Sequence, residues 1–172
     1  MLDTDRSVSG GTVGIRPKEH HYEVRVRWTG NTGSGTASYR GYERSHEVEA
    51  QGKPVLLGSA DPSFRGDESC WNPEELLVAA LAQCHMLSYF AVAAMAGVNV
   101  LDYRDSATAV MVTNPGGSGQ FTRVTLHPQV LVAEESMIET ATSLHVKAGE
   151  LCFIARSVNF PVEHEPVVRA RS

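Results

Sequence analysis

Cys84 and Cys152 are the two side chains of this 172-residue sequence best suited to chemistry. A thiolate is a strong nucleophile, and a second thiol nearby can trap an oxidised one as a disulfide. Each cysteine lies in a stretch with helical periodicity, so two packed helices could bring the thiols together. A free cysteine is also often buried as a small hydrophobe, and spacing alone favours that packing role. The third cysteine, Cys70, is not expected to take part.

The stretch around Cys84 predicts a long helix over residues 72–96. Asn72 is a favourable N-cap, Pro73 suits the first turn, and Gly97 is a natural stop. The helix is apolar on nearly every side and long enough to span a membrane. Polar or reactive side chains interrupt its middle, and we therefore interpret it as a helix of a core or a subunit interface. Its predicted packing stripe consists of Leu77, Leu81, Cys84, Ser88, Ala91 and Met95.

A second helix is predicted over residues 134–157, around Cys152. Glu134 and Glu135 open it, where negative charge favours the positive end of the helix dipole. Its apolar stripe consists of Met137, Ala141, Leu144, Ala148, Leu151 and Ala155, and Cys152 lies beside Leu151. Two buried helices of one domain are expected to pack together, each with one cysteine on or beside its packing face.

The rest of the chain predicts strands and turns. Alternation of apolar and polar residues predicts a strand over residues 21–28. The further segments that we interpret as strands are residues 36–42, 46–50, 98–112, 121–132 and 160–168. Residues 51–71 are interpreted as an irregular loop and residues 1–20 as a flexible tail. The order βββ-α-ββ-α-β predicts a single α+β domain over residues 21–172, with antiparallel sheets.

The overall composition excludes two classes of partner. The net charge is -5, and the 15 lysines and arginines are scattered. Nucleic acids and anionic membranes both require a basic face, so neither is expected to bind. Residues 1–18 are polar and lack the apolar segment of a signal peptide, so we expect a cytoplasmic protein with free thiols. The sequence contains no CxxC motif, which leaves little support for a zinc site.

Two segments resemble a known family. Residues 72–85 closely resemble the NPEELLxAAxxxC segment of the OsmC/Ohr family, the osmotically inducible protein C and organic hydroperoxide resistance proteins. Residues 150–157 resemble the family's second cysteine motif, although Phe153 stands where proline is common and Ser157 falls one position later. Residues 28–30 and the glycine-rich turn after them resemble its first strand. The likeness extends over roughly residues 21–168.

The resemblance implies an intertwined homodimer with antiparallel sheets around two long central helices. Members of the family reduce organic hydroperoxides, and hydrogen peroxide more weakly, with dithiols or lipoylated proteins as reductants. They have their active sites at the subunit interface and use no cofactor and no metal. Cys84 falls where the family has its peroxide-attacking cysteine, and Cys152 where it has the resolving cysteine. The implied function is therefore that of a peroxidase in oxidative-stress defence.

The resemblance also implies an arginine held against the reactive thiolate by a carboxylate, which falls at Glu74. The family commonly carries this arginine in the turn after the first strand, but residues 31–35 contain none. Arg65, in the loop before the first helix, and Arg40 are the candidates. Glu74 lies about 15 Å from Cys84 along a straight helix. It could reach the site through a helix break or across the dimer, or it could act only at the helix terminus.

Two alternatives to a peroxidase remain open at this level. Without an activated thiol, the chain could be a non-catalytic dimer that binds a hydrophobic ligand or a partner protein. A metal site built from Cys84, His85 and Cys152 has no helpful ligand spacing. Neighbouring side chains on a helix point about 100° apart, so His85 is also a poor direct partner for the Cys84 thiol.

Overall fold

The computed structural model describes residues 17–172, so most of the predicted tail over residues 1–20 lies outside the described part. The strands, in chain order, are β1 (Arg25–Trp28), β2 (His46–Glu49), β3 (Leu56–Gly58), β4 (Val100–Asp105), β5 (Thr108–Thr113), β6 (Gly119–Leu126), β7 (Pro128–Val132), β8 (Val162–His164) and β9 (Val167–Ala170). Helix α1 (Pro73–Met95) follows β3, and helix α2 (Ile138–Leu151) follows β7.

These strands form three sheets of three strands each, in the orders β1-β2-β3, β4-β7-β9 and β5-β6-β8. The pairs β6–β8 and β7–β9 are parallel, and the other pairs are antiparallel. The predicted α+β class and the two central helices are confirmed. The order of elements is βββ-α-ββββ-α-ββ, because three predicted strands are each divided in two.

The divided strands share a physical cause, which is that the chain moves from one sheet to the next. The predicted strand over residues 98–112 breaks after Asp105, and the one over residues 121–132 breaks at His127. The backbone N–H of His127 donates to a carboxylate oxygen of Asp105 at 2.8 Å, which ties the two breaks together. The final segment divides in the same way into β8 and β9. Alternation of apolar and polar residues continues through such breaks, so sequence patterning does not reveal them.

The N-terminal region differs from the prediction in two places. Residues 36–42 form turns and bends rather than a strand. Asn31 accepts hydrogen bonds from the N–H groups of Gly33 and Gly35 at 2.9 and 3.0 Å, which folds the chain back on itself. Residues 51–71, interpreted as an irregular loop, contain β3 and a short 3-10 helix, Pro62–Phe64.

Helix α1 has the predicted start and end. The Glu75 N–H donates to Asn72 Oδ1 at 2.8 Å, and the Glu75 carboxylate accepts from the Asn72 N–H at 3.4 Å, which completes a capping box. Gly97 has φ +74°, a left-handed conformation that ends the helix at little cost. Among the described residues, α1 alone is long and apolar enough to span a membrane, a property that the core helix of a globular fold shares.

The buried face of α1 is rotated from the predicted stripe. Cys84 is half-buried, and Met95 is 78% exposed although the stripe placed it inside. The buried side chains of α1 are Leu81, His85, Tyr89, Val92 and Ala93. They pack against α2 and the neighbouring sheets, and the outer side of α1 carries exposed apolar groups such as Leu87 and Phe90.

Helix α2 is shorter than predicted at both ends. It occupies Ile138–Leu151, and short 3-10 helices precede and follow it. Cys152 is its C-cap, with an extended ψ of 108°, so this cysteine does not belong to the helix as predicted. The Ala155 N–H donates to Cys152 Sγ at 3.4 Å, and Ser157 Oγ donates to the Phe153 carbonyl at 2.7 Å. These local hydrogen bonds stabilise a tight turn instead of further helix.

Candidate active site

Cys84 and Cys152 lie next to each other in the fold. Cys84 projects from the middle of α1, and Cys152 follows the last turn of α2, which packs on α1. Both thiols are free, and they are close enough to interact directly. The fold therefore brings together the two cysteines that the sequence singled out.

The two thiols differ in their surroundings. Cys84 is half-buried, whereas Cys152 is 1% exposed. Burial, together with the hydrogen bond and charge interaction with Cys84, raises the pKa of the Cys152 thiol to about 11. The N–H groups of Ala155 and Ile154 offset part of this rise. Cys152 is consequently a protonated thiol at neutral pH, and it is not the group that a solvent-borne electrophile meets first.

Glu74 lies at the N-terminal end of α1 and is half-buried. Because α1 is unbroken from Pro73 to Met95, the helix break considered for Glu74 is excluded. Glu74 lines a cleft of about 800 Å³ between α1 and the strands β4, β5 and β6. Apolar side chains cover most of its wall, among them Val78, Ala79, Met86, Met111 and Phe121. The described residues that line it do not include Cys84 or Cys152.

Neither candidate arginine is held against Cys84 within one chain. Arg65 closes the 3-10 helix before α1 with a left-handed φ of 68°, and its side chain is exposed. Arg40 is exposed in the turns between β1 and β2. Across residues 17–172 neither guanidinium makes an ion pair or a hydrogen bond. The arginine that would activate Cys84 therefore stays a prediction.

A third arginine orders the turn that carries Arg40. The guanidinium of Arg44 stacks over the rings of Tyr39 and Tyr42, with centroids 4.6 and 4.1 Å away. It also donates to the Tyr39 carbonyl at 2.8 Å. Nothing in the sequence spacing indicated this stacking, because it depends on the turn geometry.

Sequence reasoning missed a group of buried histidines behind the thiols. His85 of α1 and His145 of α2 are 1% and 2% exposed, and His85 Nε2 lies 3.0 Å from His145 Nδ1. The ring of His164, at the end of β8, stacks on that of His85 with centroids 4.3 Å apart. These residues are widely separated in sequence, so no local motif indicated that they would meet. Throughout residues 17–172, no group of three or more histidine, cysteine, aspartate or glutamate side chains is arranged to hold a metal ion.

Comparison with known proteins identifies the family whose fold this chain shares. The family model for OsmC-like proteins matches residues 66–166, which include both cysteines. An OsmC-like protein of unknown function from Vibrio cholerae is 32% identical, and the match covers 87% of this chain and all of that one, with a TM-score of 0.77. A search of curated protein sequences found no match.

Two more distant structures share the architecture. An organic hydroperoxide resistance protein OsmC from Legionella pneumophila is 18% identical with a TM-score of 0.65, over 88% of this chain and 98% of that one. The organic hydroperoxide resistance protein OhrB of Bacillus subtilis is 17% identical with a TM-score of 0.59, over 87% and 98%. At these identities the likeness establishes the fold alone. The family model and the Vibrio cholerae structure together show that this chain belongs to the OsmC-like protein family.

Proposed function

We propose that this protein is a thiol-dependent peroxidase that reduces organic hydroperoxides through Cys84 and Cys152. The observation that carries the proposal is the pairing of two free, neighbouring thiols, of which one is accessible and the other buried. Relatives of the same fold from Legionella pneumophila and Bacillus subtilis are described as organic hydroperoxide resistance proteins. A peroxide-related redox role is consistent with both observations.

The difference between the thiols supports distinct roles for them in this proposal. The Cys84 thiolate attacks the distal oxygen of the hydroperoxide, which forms an S–O bond as the O–O bond breaks. The departing alkoxide takes up a proton to become an alcohol, and Cys84 is oxidised to a sulfenic acid. Cys152 then forms an S–S bond with Cys84, and the sulfenic oxygen leaves as water. A dithiol or a lipoylated protein reduces the disulfide by exchange and is itself oxidised.

Apolar side chains near the thiols favour organic substrates over hydrogen peroxide. Leu81 is buried one turn before Cys84, and Leu87, Phe90 and Phe153 present exposed apolar surface on the surrounding elements. Apolar surface of this kind binds the alkyl part of a hydroperoxide, which hydrogen peroxide lacks.

A homodimer would explain the apolar surface that one chain leaves exposed. Strand β1 is exposed along its whole length, and Val26 in it is 68% exposed. The outer side of α1 adds Leu87, which is 61% exposed. Contiguous apolar surface on a globular protein marks an interaction site. A second copy would cover it and would bring groups such as Arg40, Arg65 and Glu74 toward a neighbouring thiol.

We therefore expect the protein to be a dimer in solution, with twice the 18.6 kDa mass of the chain. Light scattering coupled to size-exclusion chromatography measures this mass directly. Val26→Glu would place a charge in the proposed interface and should shift the mass toward one chain, while Glu19→Gln, at an exposed position before β1, should leave it unchanged. A single-chain mass for the unaltered protein would refute the dimer.

Replacing Cys152 by serine should separate the two chemical steps. The first oxidation of Cys84 by cumene hydroperoxide is expected to proceed at the unaltered rate, because Cys152 takes no part in it. Steady turnover with a dithiol should fall by about tenfold or more, since the sulfenic acid has lost its internal partner. Stopped-flow measurement of hydroperoxide consumption distinguishes the two phases. Full turnover in this variant would contradict the resolving role.

A second function, binding of an apolar ligand without turnover, is favoured by the cleft beside Glu74. Its wall is mainly apolar, and the described lining includes neither thiol. The same hydroperoxide experiment decides between the two functions, because with a binding protein the hydroperoxide would disappear no faster than with the dithiol alone.

A further inference from the structure

The buried side chains of His85 and His145 and the half-buried side chain of His164 form a connected group between the two cysteine-bearing segments. One ring nitrogen of His85 and one of His145 share a hydrogen bond of 3.0 Å. His164 stacks on His85, and Tyr89 stacks on His145 with ring centroids 4.1 Å apart. The hydrogen bond links α1 directly to α2, as does the stacking of Tyr89 on His145, and the stacking of His164 on His85 joins β8 to α1.

His85 and His145 are close to a cysteine in the sequence, and His164 contacts the helix that ends just before Cys152. His85 is the sequence neighbour of Cys84, and His145 lies on α2, seven residues before Cys152, which is the C-cap of that helix. His164 packs on the backbone of α2 at Gly149, where an added Cβ would lie only 2.7 Å from the imidazole Cε1. The N–H of Cys152 donates to the carbonyl of this same Gly149 at 3.3 Å. The group therefore contacts both segments that set the position of the sulfur atoms.

The polar atoms of this histidine group destabilise the core around them. Within residues 17–172, the buried side-chain nitrogen and oxygen atoms that have no hydrogen-bond partner all belong to this region. They are His85 Nδ1, His145 Nε2, His164 Nε2, Tyr103 Oη and Asp105 Oδ2. Unpaired buried polar atoms destabilise a fold, and apolar residues would fill the same space without that cost. A hydrogen bond is directional, so it fixes one helix against the other in a single register, whereas apolar contacts do not.

We propose that His85, His145 and His164 are positioning residues that hold α1 and α2 in the register that sets Cys84 against Cys152. A disulfide forms without strain only if the two Cα atoms approach within about 7 Å in a suitable orientation. The hydrogen bond between His85 and His145 limits sliding and rotation of α2 on α1, and His164 fixes the last turn of α2 from the other side. None of the three imidazoles needs to touch the hydroperoxide. This inference deepens the proposed peroxidase function, because it concerns the resolving step, and it rests on that function only for its kinetic consequence.

The thiol–disulfide equilibrium tests the proposal without any peroxide. The intact protein is equilibrated with mixtures of reduced and oxidised dithiothreitol, and the fraction of Cys84–Cys152 disulfide is measured by mass spectrometry after alkylation. His145→Leu removes the hydrogen bond and keeps an apolar side chain in its place. His145→Asn keeps a polar atom where Nδ1 lies. We expect the equilibrium constant for the disulfide to fall about three- to tenfold in His145→Leu, in line with the loss of one buried hydrogen bond, and to stay within about twofold in His145→Asn.

Two controls keep the test independent of folding and of catalysis. Val130→Ala, at a buried position of β7 in the same apolar cluster as Tyr89, destabilises the core without removing a histidine and should leave the disulfide equilibrium unchanged. His85→Leu and His85→Gln repeat the comparison from α1, because the amide of Gln can replace Nε2. In kinetic terms, the leucine variants should slow disulfide formation and leave the first oxidation of Cys84 unaltered.

Equal equilibrium constants in His145→Leu and the unaltered protein would overturn the proposal, and so would an equal loss in His145→Leu, His145→Asn and Val130→Ala. If the protein forms the disulfide with oxidised dithiothreitol but consumes no hydroperoxide, the peroxidase function is refuted. The positioning role is then decided by the disulfide equilibrium constants of the variants alone.

Discussion

Replacing Cys84 by serine is expected to abolish hydroperoxide reduction. The hydroxyl of serine is a far weaker nucleophile than a thiolate, and no other described thiol is both accessible and next to Cys152. We expect the rate of cumene hydroperoxide consumption with excess dithiol to fall on the order of a thousandfold or more, to the level of the dithiol alone. A coupled or direct assay of hydroperoxide concentration over time measures this loss.

Cys70 provides the matched control for this experiment. It is partly buried in the turn before α1, so Cys70→Ser makes the same chemical change outside the thiol pair. Cys70→Ser should retain the full rate. If Cys84→Ser also retained the full rate, the mechanism built on Cys84 would be excluded. The apolar cleft beside Glu74 would then be the better candidate for the functional site.

The buried histidines are expected to make the protein sensitive to mild acid. Burial, with smaller contributions from the neighbouring histidines, lowers the pKa of His85 to about 3 and that of His145 to about 4. In the unfolded chain both titrate near 6.5. Protons therefore bind the unfolded state preferentially, so the stability is fully present above about pH 6.5 and is lost as the pH falls below that value. Between pH 7.5 and pH 5 each histidine should lower the free energy of unfolding by about 2 kcal/mol.

Urea unfolding at these two pH values, at one fixed protein concentration, measures the loss. The double variant His85→Leu/His145→Leu should have a much smaller difference between pH 7.5 and pH 5, because it lacks both titrating groups. His164 stays in the double variant and acts in the same direction as the other two histidines, since burial lowers its pKa, whereas Asp105 acts in the opposite direction, since burial raises the pKa of its carboxyl. An unaltered protein with the same free energy of unfolding at both pH values would contradict the burial of neutral imidazoles.

Helix α1 shows what the sequence alone could predict. Its start depends on a local motif, the capping box of Asn72 and Glu75, and its end on Gly97, so both were visible in the residues themselves. The family resemblance over residues 72–85 belongs to the same short range. Cys84 was identified for this reason, and the OsmC-like family model confirms the assignment of the family.

Features that depend on distant contacts were not predictable in the same way. The hydrogen bond between His127 and Asp105 marks the place where the chain changes sheets, and it joins residues that are 22 positions apart. Cys152 was placed inside α2 because the apolar spacing continues to Ala155, whereas α2 ends at Leu151 and the backbone of Cys152 is extended, with a ψ of 108°. The contact between His85 and His145 arises only when α1 and α2 pack together.

Activation of Cys84 is the part of the site that one chain leaves incomplete. Arg40 and Arg65 are exposed, and Glu74 lies at the far end of an unbroken helix. A thiol in partly apolar surroundings reacts well only when a cation or a hydrogen bond stabilises its thiolate. The proposed homodimer offers such a cation, because a second copy would meet the surface on which these side chains lie.

The central claim is that Cys84 and Cys152 form a redox pair that a hydroperoxide oxidises, and counting thiols tests it most directly. The fully reduced protein has three thiols per chain. After treatment with one equivalent of cumene hydroperoxide and removal of the reagent, we expect one thiol to remain, on Cys70, together with a peptide that joins Cys84 to Cys152. Three remaining thiols and unchanged hydroperoxide would contradict the claim.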